Sequence, residues 1–202
     1  MSKLIVITHP HFLPDESLLI RCALDAGADY LHLRKPQASC GELDMLLQQI
    51  PVEYHNRIVL HDWHELSQHY AVGGIHINAR NNKVSTQHPD VRLSRSCHTL
   101  EEVAQHKTSH EYLFLSPIYD SISKAGYKAA FTHKQLMQAS TGGIIDHRVI
   151  ALGGISTANI ERTMQYRFGG VAIMGCLWNN ANTQHIEHTI KQIKRELLCC
   201  NL

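Results

Sequence analysis

VIALGGIST, residues 149–157, runs from a wholly apolar, β-branched start into two glycines and then two hydroxyl residues. A run this apolar reads as a strand buried on both faces, as in a parallel sheet covered by helices. Its exit through Gly153 and Gly154, just before a segment with helical spacing, makes a strand–turn–helix unit. Glycine lets backbone N–H groups approach a ligand closely, and a helix N-terminus attracts anions. The fold turns on how many such units the chain contains.

Short apolar runs recur at 4–8, 30–34, 57–62, 74–78, 91–97, 112–118, 149–155 and 170–175. Helical patterns lie between them. DESLLIRCALDAGA (15–28) has an acidic start, a 3.6-residue period and a glycine stop, and 64–74 ends in the same way. TLEEVAQH (99–106) reads as a short helix with Glu102 three residues after Thr99, in capping-box spacing. Segments 156–170 and 183–198 supply two more helices, and 39–50 and 132–140 fit the remaining gaps, while 79–90 reads only as a turn. A strand, a helix and two loops need about 25 residues, so eight units need about 200, close to the 202 present. The expectation is α/β, a single (β/α)8 TIM barrel spanning 1–202 as one domain. A doubly wound open sheet would carry a G-x-G-x-x-G turn after the first strand, and VITHPHF has none.

Apolar residues make up 44% of the chain and charged residues 18%, with a formal charge of +1. That balance excludes general attraction to nucleic acid or to an anionic membrane surface, so any anion site is local. No run approaches the roughly 18 apolar residues of a membrane span. The 6 cysteines include no C-x-x-C pair, which points to reduced thiols in a cytoplasmic protein. The 16 histidines are scattered and read as surface and loop residues rather than a metal motif.

In a (β/α)8 barrel the chemistry sits at the C-terminal ends of the strands. There the sequence places Thr8 and His9, Arg34 and Lys35, His61 and Asp62, His76 and Asn78, Ser94, Ser96 and His98, then Ser116 and Tyr119. The loops after strands seven and eight, GGIST and GCLWN, fit the phosphate site common to this architecture. The loop after strand six, SPIYDSISKAGYKAAF, places Ser121, Ser123, Lys124 and Lys128 where a lid would close over an anion.

The stretches LHLRKP (31–36), HDWHELSQHYAVGGIHI (61–77), SCHTLEE (96–102), SPIYDSISK (116–124), ALGGIS (151–156) and GVAIMG (170–175) resemble, in order and spacing, the thiamin phosphate synthase/TenI superfamily of (β/α)8 barrels. The resemblance implies a thiamin-biosynthesis enzyme that binds hydroxyethylthiazole phosphate. Gly153 and Gly154, with Met174, Gly175 and Cys176, would hold the phosphate. Ser96, Ser121 and Ser123 would contact substrate, Arg34 and Lys124 would face pyrophosphate, and Asp62 would bind Mg2+ if the chain is a synthase.

The sequence departs from the synthase pattern on the pyrophosphate side. The family's Arg-x-Lys reads Arg34-Lys35-Pro36, its Asn-Asp pair reads His61-Asp62, and its Gly-Gln-Glu-Asp reads Asn78-Ala79-Arg80-Asn81. Lys35 is one position early and so points elsewhere on a strand. Lys35 and Lys83 remain candidates to replace the lost cation, and Asn81 could offer a neutral oxygen. Erosion confined to that half leans toward a TenI-like thiazole tautomerase with no cofactor and with His98 as proton shuttle. The alternatives are thiamin phosphate synthase, with Mg2+, and an inert phosphate-binding regulatory module. A phosphosugar isomerase rests on fold analogy alone. The expected partner is small-molecule thiazole phosphate, with no nucleic acid and no membrane, and a homodimer or higher homo-oligomer is compatible.

Overall fold

Eight parallel strands close on themselves in sequence order in the computed structural model, which describes residues 2–81, 91–120, 128–179 and 181–200. They are β1 (Lys3–Ile7), β2 (Tyr30–Leu33), β3 (Ile58–Leu60), β4 (Gly74–Ile77), β5 (Arg92–Cys97), β6 (Tyr112–Leu115), β7 (Val149–Leu152) and β8 (Gly170–Ile173). The β1–β8 pairing, Lys3 with Gly170 through Val6 with Ile173, closes the circle. The helices are α1 (Glu16–Asp25), α2 (Cys40–Gln49), α3 (Leu100–His106), α4 (His133–Thr141), α5 (Ile160–Met164), α6 (Gly175–Trp178) and α7 (Thr183–Cys199). The single (β/α)8 barrel is as expected. None of the described helices is long and apolar enough to cross a membrane, and all six cysteines are free thiols.

The two-residue period of the strands sorts side chains into two cores. Leu4, Val6, Leu31, Leu33, Ile58, Leu60, Leu113, Leu115, Val171 and Ile173 face outward and pack with the helices. Ile5, Ile7, Tyr112, Phe114, Ile150 and Ala172 form a smaller cluster on the barrel axis. Arg92 closes the N-terminal end of that axis. Its Nε donates to Gly73 O at 2.8 Å and one terminal nitrogen to Asn56 O at 3.0 Å, while the other meets the Tyr30 hydroxyl. Trp178, just after β8, donates its indole N–H to Ile7 O at 2.7 Å and ties the last loop to the first strand.

Two helical segments are shorter than the pattern suggested. Residues 64–74 give only a 3₁₀ turn, His64–Gln68, because the preceding Trp63 is left-handed (φ 54) and supplies no cap. Gly73 then lies so close to Asn56 O that a Cβ would stand 2.2 Å from it. Segment 156–170 splits at Asn159 into a 3₁₀ turn and α5.

Lys35 points out of the barrel, as its parity requires, and cannot replace a cation at the mouth. It is 1% exposed, donates to Glu16 Oε1 at 2.5 Å, and caps the carbonyls of His9 and His11 at 2.8 Å each. The pair pins the β1–α1 loop to the barrel wall. Burial pushes the Glu16 carboxyl up and the Lys35 ammonium down, each opposed by the other's charge. Lys35→Met should therefore destabilise the fold by about 3–5 kcal/mol by stranding a buried carboxylate, whereas the double variant with Glu16→Leu should cost much less. Urea titration of both variants checks the difference.

Candidate functional site

Arg34 follows His32 by two residues and shares its inward parity. The Thr8 hydroxyl fixes its backbone, accepting from Arg34 N at 2.9 Å and donating to Arg34 O at 3.2 Å. Below it, the barrel axis is polar. His32, His61 and His76 are all buried, with ring centroids 5.0 Å apart for His32–His61, 5.2 Å for His32–His76 and 4.1 Å for the stacked His61–His76 pair. His32 Nδ1 lies 2.8 Å from His61 Nε2, and His32 Nε2 lies 2.6 Å from the Tyr112 hydroxyl. His76 bridges two hydroxyls, Ser94 on Nδ1 and Ser96 on Nε2, at 2.8 Å each. Burial pushes His32 down to about 3, and burial with mutual proximity holds His61 and His76 well below the usual imidazole range. The rings are neutral hydrogen-bonding groups at neutral pH.

The reading of the histidines as surface residues fails for these three. The sequence places His61 and His76 among the strand-exit residues but not in one cluster, and it does not mark His32 as a site residue. The usable signal was parity. Counting back by twos from Arg34 and Asn78 lands on His32 and His76.

The ends of β3 and β4 fold onto each other. Asn78 Oδ1 accepts the backbone N–H groups of Arg80 and Asn81 at 2.9 and 3.1 Å. That turn swings Arg80 onto Asp62, at 3.2 and 3.4 Å from its two oxygens, and Asn81 Nδ2 onto Asp62 Oδ1 at 2.8 Å. Asn81 thus offers Asp62 an N–H rather than an oxygen toward a shared ion. Magnesium favours charged oxygen ligands. Here the lone carboxylate of this turn is already engaged by a guanidinium and an amide, so the donor set does not fit that ion.

On the opposite side, Gly153 (φ 96) and Gly154 (φ 64) are left-handed. A Cβ on Gly153 would stand 2.8 Å from Pro117 Cα, and one on Gly154 would stand 2.3 Å from Asp120 O. The glycines therefore serve close approach of the β6 exit loop as well as any anion. Ser156 and Asn159 form a capping box beyond them. Met174 and Cys176 flank Gly175, where α6 begins, and first-turn N–H groups lack intrahelical acceptors. Burial pushes the Cys176 thiol up to about 11, so it stays a neutral thiol.

His98 lies exposed after β5. Its Nδ1 is 3.0 Å from Ser116 O; a carbonyl only accepts, so Nδ1 carries the proton and Nε2 presents its lone pair. The fold thus brings Arg34, Asp62, Ser96, His98, Gly153, Gly154, Met174, Gly175 and Cys176 to the strand-exit end. Ser121, Ser123, Lys124 and Lys83 lie outside the described residues. Tyr119 turns away, its hydroxyl 3.0 Å from Thr163 Oγ1 on α5. Clefts among the described residues lie elsewhere, one of them between the β1–α1 loop and α2 around Phe12, Glu16 and Met45. Chemistry rather than concavity marks the mouth.

A family model described as thiamine monophosphate synthase matches residues 4–177. Among curated relatives, thiamine-phosphate synthases of Staphylococcus epidermidis (24% identical over 187 residues, 88% of this chain and 86% of the relative) and of Bacteroides thetaiotaomicron (26% over 196 residues, 88% and 90%) align nearly end to end. A crystal structure of thiamine phosphate pyrophosphorylase from Bacteroides thetaiotaomicron superposes with a TM-score of 0.87 at 36% identity, covering 96% of this chain and 97% of that one. A Pyrococcus furiosus thiamine phosphate pyrophosphorylase, 18% identical with a TM-score of 0.79, supports the fold.

Gly154→Ala tests the tight junction. The left-handed backbone and the contact with Asp120 O together should cost roughly 2–4 kcal/mol, read as a lower urea midpoint with an unchanged slope.

Proposed function

We propose, on the premise that this chain belongs to the thiamine monophosphate synthase family, that it joins aminopyrimidine pyrophosphate to thiazole phosphate with release of pyrophosphate. The observation that carries this reading is the 36% identity, over nearly the full length of both chains, with a protein named thiamine phosphate pyrophosphorylase. The lean toward a tautomerase finds no such support, because the relatives reported above bear the synthase name.

In this reading the backbone at Gly153, Gly154 and Met174–Cys176 holds the thiazole phosphate. The bond from the pyrimidine methylene to pyrophosphate breaks with its electron pair on oxygen, and the thiazole nitrogen lone pair forms the new C–N bond. Arg34 and Arg80 supply positive charge on the leaving-group side, as fixed charges aimed where negative charge develops. Asp62 orients Arg80 through the contacts above, and the family's magnesium enters no step here. Ser96, held by the neutral His76, offers a positioned hydroxyl at the mouth.

One geometric observation favours a second reading. Ser116 O fixes His98 as the Nδ1–H tautomer with Nε2 free to take a proton, which suits thiazole tautomerisation, a proton transfer needing no metal.

Thiamin phosphate formation from the two substrates separates these readings. Under the synthase reading, turnover is robust and Arg34→Ala lowers kcat/KM by about 10²–10³. His98→Asn then leaves the rate within about tenfold, below the 10²–10⁴ of general acid–base catalysis. Absence of product, with aromatisation of carboxylated thiazole phosphate that His98→Asn abolishes, would establish the tautomerase instead. Ligand binding without turnover in either assay would leave a phosphate-binding module.

A further inference from the structure

The three buried histidines are not used by the reaction above except where His76 holds Ser96. Barrel interiors of this kind are usually filled by layers of branched apolar side chains. Here three neighbouring strands, β2, β3 and β4, direct an imidazole each at one point on the axis. One nitrogen from each of His32, His61 and His76 lies within 4.8 Å of the others, all three residues are buried, and this is the sole such group among the described residues.

We propose that His32, His61 and His76 form a site for a divalent transition-metal ion of the zinc or cobalt kind on the barrel axis, below the strand-exit mouth. The site is distinct from the Asp62 position, and the one group it shares with the synthase reading is His76, through its contact with Ser96. Imidazole nitrogen is the ligand type such ions prefer, and three histidines with an open fourth position are a known zinc arrangement.

Outer hydrogen bonds orient two of the three rings, His32 and His76. If His32 Nε2–H donates to the Tyr112 oxygen (2.6 Å) and His76 Nδ1–H donates to Ser94 Oγ (2.8 Å), the lone pairs of His32 Nδ1 and His76 Nε2 turn inward. A hydrogen bond from the far N–H is the usual way a metal-bound histidine's tautomer and orientation are set, and here hydroxyls take the place of the commoner carboxylate, carbonyl or water. The nitrogens of His32 and His61 are 2.8 Å apart. Tetrahedral ligands about 2.0–2.1 Å from zinc stand about 3.3–3.4 Å from each other, so this pair must open by roughly half an ångström. The ion replaces the His32–His61 hydrogen bond, and the His61 proton moves from Nε2 to Nδ1. Ser96 Oγ, 2.8 Å from His76 Nε2, gives up that contact and leaves the fourth position facing the mouth. The competing account is a hydrogen-bonded polar core that binds nothing.

The test uses the full chain, stripped of metal and titrated with Co2+ alone. One equivalent should bind, with the intense visible bands of nitrogen-ligated four- or five-coordinate cobalt, and Zn2+ should displace it. Tyr112→Phe should weaken the affinity by about 10–100-fold, the usual effect of losing an outer-shell partner. His61→Asn should abolish the bands, while the variant His106→Asn/His110→Asn, a ring pair outside the cluster, should keep them. No saturable binding by the parent, or bands that survive His61→Asn, would overturn the proposal. Should His61→Asn fail to fold, anomalous scattering from zinc-soaked crystals of the parent decides. A peak between the three rings supports the site, and no peak there overturns it.

Discussion

In a closed ring of parallel strands, each side chain must face either the axis or the helices, and a shift of one residue exchanges those fates. Arg34 and Lys35 are adjacent in sequence and chemically alike, yet they have opposite destinies. Arg34 lies on the axial parity at the mouth. Lys35 is sealed against Glu16 and the carbonyls of His9 and His11, where it secures a loop. The same constraint, applied to β2, β3 and β4, brings His32, His61 and His76 together. The substitution of a proline for the family's second cation is therefore not offset by the lysine beside it, because no strand can present both faces at once.

The next pair of strands departs from the family pattern as well. The Asn78 turn is a local device, one amide oxygen gathering two backbone N–H groups, and its effect is to lay Arg80 and Asn81 across Asp62. Where the family's Gly-Gln-Glu-Asp stretch carries carboxylates, this turn sets one carboxylate against a guanidinium. The exchange pairs the two charges and removes oxygen ligands that a hard cation needs.

The fold was readable because its signals are local: eight apolar runs, glycine stops, and the capping spacing at Thr99, whose side chain accepts from Glu102 N. The strand-end residues followed from the architecture, and the outward turn of Lys35 followed from parity alone. The histidine cluster did not follow. Parity says that His32 and His76 face inward but not that they meet, since that depends on the stagger between strands, as in the pairing of His32 with Val59 and of His76 with Ser94. Nor could spacing reveal that Gly153 and Gly154 are required by the approach of Pro117 and Asp120, contacts made across the sheet.

Arg92 gives the barrel a floor. Its guanidinium spans Gly73, Asn56 and Tyr30 at the end opposite the mouth, so the packed axis is sealed at that end. Whatever reaches the imidazoles must enter past Arg34 and Ser96 and leave by the same route. Substrate seated at the mouth would then act as a stopper, and exchange of anything held below it would slow whenever the mouth is filled.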